Sequence, residues 1–310
     1  VIKINKAIFM TAVVTAFDEN EILDVQANKN IYDHIIEGGT DGLVIMGSTG
    51  EFFSMSMTQR KVLIDLAIKH IQHRTKIFIG TGCISIDDTV ELSNYALAAG
   101  ADAVMIISPY YFSLSEESIE LFYDSVACNV NGDIFLYNYP QITGHDLTAE
   151  ITIRLIKKHK NIIGYKDTVT NMGHTRKLIT RIRKEFPDFL IFSGYDENFA
   201  HNILSGGNGC IGALPNIYPE IFAQWANMIN SGNFSKIAEF QCIVDKLMDI
   251  YSVGKPIIPI IKKAMMIRGI SLFDYCTSPF IQANPDQTKQ IKSIMKVVEK
   301  ILNSSITNTI

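Results

Sequence analysis

Four clusters of polar residues, each closing a short apolar run, hold the groups in this sequence that could do chemistry. GSTGE at 47–51 offers two hydroxyls, Ser48 and Thr49, and successive backbone N–H groups between Gly47 and Gly50. Such a nest binds a carboxylate. It lacks the GK[ST] ending of a phosphate loop, and as a bare pattern many strand-to-helix turns read alike. SPYY at 108–111 ends in Tyr111, YNYP at 137–140 opens with Tyr137, and KDT at 166–168 opens with Lys166. If 162, 164 and 166 alternate inward, Lys166 carries its ammonium into an apolar interior. Burial there disfavours the charge and exposes a free amine able to attack a ketone. The competing reading is a lysine that snorkels to solvent or pairs with Asp167. The Tyr137 phenol can give and take a proton, and beside a cationic amine or imine its pKa falls. A core tyrosine with a satisfied hydroxyl is the alternative.

These residues need a scaffold that gathers strand ends. Apolar runs at 8–10, 43–46, 76–79, 103–107, 134–137, 162–165, 190–192 and 209–213 read as strands buried on both faces. Amphipathic stretches separate them, as where Leu63, Leu66, Ala67 and Ile71 share one helical face. Ser56 with Gln59, Ser85 with Asp88 and Ser113 with Glu116 have capping-box spacing, and Gly38, Gly39, Gly100, Gly206 and Gly207 end helices. Eight such units predict a parallel sheet closed into a (β/α)8 TIM barrel, with its chemistry at the C-terminal strand ends. A doubly wound open sheet would also alternate this way, but no glycine-rich dinucleotide fingerprint follows the first strand. After residue 217 the strand signal stops, and 219–232, 233–252, 256–270 and 285–303 read as helices. Asn284 caps the last and Pro285 takes its first position. The expected organisation is a barrel over 1–232 and a three-helix extension over 233–310 packed on it, with a frayed tail from Asn303.

With 47% hydrophobic and 19% charged residues the chain can bury a large core. A net charge of −4 gives no electrostatic reason to expect nucleic acid or an anionic membrane as partner. Lys3 and Lys6 before the apolar run 7–17 imitate a short secretory signal. No small-residue cleavage site follows, and the β-branched and aromatic residues suit a buried strand. No run of about 18 apolar residues suggests a membrane span. Cys83, Cys128, Cys210, Cys242 and Cys276 lack CxxC pairing and read as reduced, mostly buried thiols, so the chain is expected to be cytoplasmic. His34, His70, His73, His159 and His174 fall on predicted helices, and His145 and His201 show no ligand spacing, so no metal is expected.

GSTGE, SPYY, YNYPxxTG (137–144) and GYKDT (164–168), in this order and spacing, resemble the dihydrodipicolinate synthase / N-acetylneuraminate lyase family along the whole barrel and into the extension. The resemblance implies a class I, pyruvate-dependent lyase without a cofactor, in which pyruvate forms an imine with Lys166. It implies that Tyr137 shuttles protons, that Ser48 relays them, and that Thr49 and backbone N–H groups hold the substrate carboxylate near the backbone of Ile211. It also implies that Tyr111 reaches a neighbouring subunit's site, in a homotetramer built as a dimer of dimers. The chemistry is coherent by itself: a cationic imine draws carbanion charge from the adjacent carbon into an enamine, so no metal is needed.

Within that family, synthases usually place an arginine where this chain has Ile142, and isoleucine cannot replace bidentate recognition of a carboxylate. SGYDE at 193–197, with Gly194, Asp196 and Glu197, resembles sialic acid lyases at the place where relatives contact sugar-acid hydroxyls. Asp196 and Glu197 could equally cap a helix beginning near Asn198. Ala213 stands where those lyases tend to have serine. The Tyr137–Thr143 and Lys166–Thr168 pairings most resemble 2-keto-3-deoxygluconate aldolases, with the Thr143 and Thr168 hydroxyls offered to substrate. The expected activity is cleavage of a 2-keto-3-deoxy sugar acid to pyruvate and an aldehyde. Alternatives are sialic acid cleavage, dihydrodipicolinate synthesis and a non-enzymatic barrel that binds 2-oxo acids.

Overall fold

The computed structural model describes residues 6–307. Eight strands, β1 (Ile8–Ala12), β2 (Gly42–Ile45), β3 (Lys76–Gly80), β4 (Ala103–Ile107), β5 (Ile134–Asn138), β6 (Ile162–Asp167), β7 (Leu190–Ser193) and β8 (Gly209–Gly212), form a closed barrel in chain order. Every pairing is parallel, including β1 with β8. The predicted barrel is therefore the observed one. Its legibility follows from burial, since strands covered on both faces contain almost nothing but apolar residues.

Helices α1 (Val25–Glu37), α2 (Met57–Ile71), α3 (Ile86–Ala99), α4 (Glu116–Asn129), a single turn α5 (Pro140–Thr143), α6 (Ala149–Lys158), α7 (Met172–Arg183), α8 (Phe199–Leu204) and α9 (Pro219–Asn230) follow the successive strands. Ser56 and Gln59 complete a reciprocal capping box on α2. The cap of α4 lies two residues later than its sequence spacing suggests. Ser115 accepts from the Ser118 N–H, whereas Ser113 Oγ donates to the Gly144 carbonyl. His73 and His159 sit just past their helices, and His201 lies on α8. Cys128 and Cys242 are exposed, contrary to the mostly buried set expected.

Inside the barrel, alternate strands contribute Phe78, Phe135 and Phe192, with ring centroids 4.7 and 5.8 Å apart in sequence order. Gly164 leaves the room that the Phe135 ring occupies, since a β-carbon there would lie 2.3 Å from it. This aromatic layer is a dry floor under the C-terminal strand ends. The chain ends in α10 (Phe234–Leu247), α11 (Ile258–Ile267) and α12 (Pro285–Thr307). The last helix continues beyond Asn303 rather than fraying there, with Ile301 and Leu302 packed against the core. Lys3 and residues 308–310 lie outside the described residues. No described helix is long and apolar enough to cross a membrane.

Candidate active site

A cavity of about 610 Å³ opens at the C-terminal end of the barrel. Ser48, Thr49, Tyr137, Lys166, Thr168, Gly194 and Ile211 line its strand side. The other wall was not anticipated. It is made by Tyr251, the segment 254–258 and Phe280, which the extension lays across the mouth, with Phe53, Tyr139, Gln141 and Tyr195 around the rim. YNYP and SGYDE contain Tyr139 and Tyr195, so their presence was legible. Nothing local distinguishes a distant loop that completes a cavity.

Register sets the central pair. Tyr137 on β5 is the direct partner of Lys166 on β6, and the Lys166 Nζ lies 4.5 Å from the Tyr137 ring centroid. Lys166 is buried above the aromatic floor. Burial pulls its ammonium down to about 8, against a smaller upward pull from Cys210 and Asp196. The lysine is thus neither snorkelled nor paired with Asp167. The Tyr137 hydroxyl is 3.4 Å from Ser48 Oγ. Burial raises this phenol, opposed by its bond to Ser48. The sequence expectation of a lowered phenol does not describe this state, where desolvation outweighs hydrogen bonding to the neighbouring hydroxyl. Thr168 Oγ1 is buried with no hydrogen-bond partner.

Buried polar groups fasten the two central strands from behind. Asn138 donates to Asp146 at 2.8 Å and to Asp167 at 3.0 Å, and its carbonyl accepts from the Thr168 N–H. His174 bridges Asp167 and Asp146 at 2.9 Å each, and the two carboxylates raise it to about 10. The folded protein therefore holds a proton here that the unfolded chain releases near pH 6.5. This stabilisation is complete below pH 6.5, declines as pH rises, and is gone above about 10. Melting temperatures across that window should fall for the wild-type chain and fall less steeply for His174→Gln. Parallel profiles would refute the assignment.

Four residues offered to substrate by the sequence, Gly47, Thr143, Asp196 and Glu197, do not line the cavity. Thr143 Oγ1 is spent on the Tyr139 and His145 carbonyls. Asp196 is fully buried and accepts from the Ala213 and Leu214 N–H groups and the Tyr251 hydroxyl, so it braces the turn after β8 and neither caps a helix nor reaches the cavity. Burial raises it to about 6, and raises Glu197 to about 7. Glu197 sits beside α10, where Gln241 donates to its carbonyl. Gly47 borders a small void beneath Tyr137. Ile142 lines the rim, half exposed. Tyr111 is 78% exposed, outside the cavity, in edge contact with exposed Phe112. His145 joins Ser108 to the Leu114 N–H and so ties the SPYY loop to the segment after β5. The lining residues include two charged side chains, Lys166 and Lys255, and no carboxylate. Among the described residues one set of metal-type donors converges, Asp124, Cys128 and His159. None of these lines the cavity, and Asp124 is already paired with Lys158 and His159.

Residues 5–298 match the model of the dihydrodipicolinate synthetase family. YjhH of Escherichia coli K12, which its name proposes as a 2-dehydro-3-deoxy-D-pentonate aldolase, is 32% identical over 91% of this chain and 94% of its own. YagE of the same organism, similarly proposed as a 2-dehydro-3-deoxy-D-gluconate aldolase, is 31% identical over 92% and 94%. The crystal structure of YagE with pyruvate superimposes with a TM-score of 0.92 over 94% of this chain and 98% of that one.

Proposed function

The chain belongs to the dihydrodipicolinate synthetase family and is a lyase, and from that premise we propose that it is a class I aldolase cleaving a 2-keto-3-deoxy sugar acid reversibly to pyruvate and an aldehyde. The observation that carries the reading is the buried Lys166 amine, paired in register with Tyr137, whose hydroxyl meets Ser48. No cofactor takes part.

The amine of Lys166 attacks the C2 carbonyl, and loss of water leaves a cationic imine. In cleavage the C3–C4 bond breaks, its electron pair passes into the enamine, and the C4 hydroxyl loses its proton as the aldehyde forms. Tyr137 rests as a phenol. The imine charge beside it lowers its proton affinity during the reaction, so it relays that proton toward Ser48. Protonation at C3 and hydrolysis then release pyruvate and return the amine. The nest at 47–50, with Thr49 and the backbone at Ile211, takes the substrate carboxylate. The exposed Tyr111–Phe112 pair fits a face covered by a second subunit, where Tyr111 extends the proton path, within a homotetramer.

Thr168, with Gln141, Tyr139 and Tyr195 at the rim, supplies hydrogen bonds for a hydroxylated chain, while Ile142 offers no cation for a second carboxylate. A site built for hydroxyls penalises substrates lacking them, because its buried polar groups stay unpaired. With pyruvate fixed, kcat/KM for glyceraldehyde should exceed that for aspartate semialdehyde by roughly 10²-fold or more. If aspartate semialdehyde matched or beat glyceraldehyde, the sugar-acid reading would fail and the synthase reading would return.

A further inference from the structure

The GSTGE turn ends on a residue in an unusual state. Glu51 is fully buried with φ of 56°, a left-handed conformation that side-chain-bearing residues avoid unless their surroundings over-determine it. Those surroundings come from the far end of the chain. Lys262 on α11, also fully buried, forms a direct ion pair with Glu51 Oε1. The same ammonium donates to the Tyr275 carbonyl at 2.7 Å and lies 5.0 Å from the Phe17 ring centroid. Glu51 Oε2 accepts from the Thr277 N–H and hydroxyl, each at 2.9 Å. The Glu51 carbonyl accepts from Ser54 Oγ at 2.8 Å, and Thr15 Oγ1 grips the Gly50 carbonyl. Both oxygens of this carboxylate are therefore turned toward the extension.

A buried ion pair is weak evidence for stability, since well-packed apolar residues can replace it without loss. Its distinctive property is geometric: it holds one backbone conformation and rejects others. Here that conformation belongs to the residue that closes the 47–50 turn, where the Gly50 N–H already bonds the Gly47 carbonyl and Ser48 and Thr49 are the residues that face the cavity. We infer that Glu51 and Lys262 are positioning residues, through which α11 and the 275–277 segment hold the nest in shape for the substrate carboxylate. The extension is in this sense part of the recognition apparatus. The inference rests on the reading of 47–50 as the carboxylate site.

The test compares two ketones trapped on the enzyme by borohydride: pyruvate, which needs the nest, and acetone, which has no carboxylate. Glu51→Gln leaves Lys262 buried without a counter-charge and risks misfolding. The double variant E51L/K262M removes both charges at similar volume. In that variant, half-saturating pyruvate should rise at least about tenfold, while acetone trapping keeps its wild-type rate and pH profile. Backbone hydrogen exchange across 46–52 should quicken. Unchanged pyruvate saturation, or equal losses for pyruvate and acetone, would overturn the inference in favour of a merely structural pair. If the wild-type chain trapped neither ketone, the aldolase reading would fall and the inference with it. A wild type that traps both, with a double variant that behaves identically, overturns the inference alone.

Discussion

Lys166→Ala should abolish borohydride-dependent attachment of pyruvate and lower turnover by on the order of 10⁵-fold or more, the scale seen when a covalent nucleophile is removed. Mass spectrometry of the wild-type chain should place a three-carbon adduct on the peptide containing Lys166. An alanine variant that still captured pyruvate would remove Lys166 from the mechanism. The pH dependence adds a second check. With its pKa near 8, about one-tenth of the amine is free at pH 7, against about one in three thousand at the ordinary value of 10.5. Because burial disfavours the charged form, the trapping rate should climb with pH and level off above about 8. A rate still climbing tenfold per pH unit at pH 9 would mean that the amine is not held in the dry environment described.

Tyr137→Phe should lower kcat by roughly 10²–10⁴-fold, the range for a lost general acid or base. The half-saturating substrate concentration should change far less, because in the proposed reading the nest, and not Tyr137, holds the substrate carboxylate. The ring remains in the variant, so its packing beside Lys166 persists and imine formation with pyruvate should continue. Single-turnover trapping separates the two steps. If trapping and turnover fell together, Tyr137 would be acting on imine formation or on local structure and not on the proton of the C4 hydroxyl. Ser48→Ala should give a smaller loss of the same kind, since its oxygen lies 3.4 Å from the phenol and, in the proposed relay, only passes the proton on.

The parts of the fold legible in the sequence are those where one physical demand dominates. All eight strands are buried on both faces, so their apolar runs stand out, and a lysine ending such a run is conspicuous because burial there is costly. Side-chain direction after a strand was much less legible. Thr143 and Asp196 follow strands β5 and β7 and have the right chemistry for a sugar acid, yet backbone N–H and C=O groups capture both. Sequence spacing carries no record of which backbone groups lie within reach. The wall formed by Tyr251, 254–258 and Phe280 was hidden for a related reason: its position depends on how α10 and α11 return over the mouth. The role of Glu51 was visible only as the last letter of a motif, since its partner lies 211 residues away.

Gly194 lies so close to Thr168 that a β-carbon on it would come within 1.9 Å of the Thr168 hydroxyl. That β-carbon would also lie 2.6 Å from the Thr168 β-carbon and 2.8 Å from its α-carbon, so trimming the Thr168 side chain does not make room for it. The close approach is to the backbone, and it brings Thr168 and Gly194 together at one corner of the cavity. A search of variants, whether it alters 194 alone or 168 and 194 together, should therefore find 194 fixed as glycine. The volume of this corner can be changed only from the side of 168.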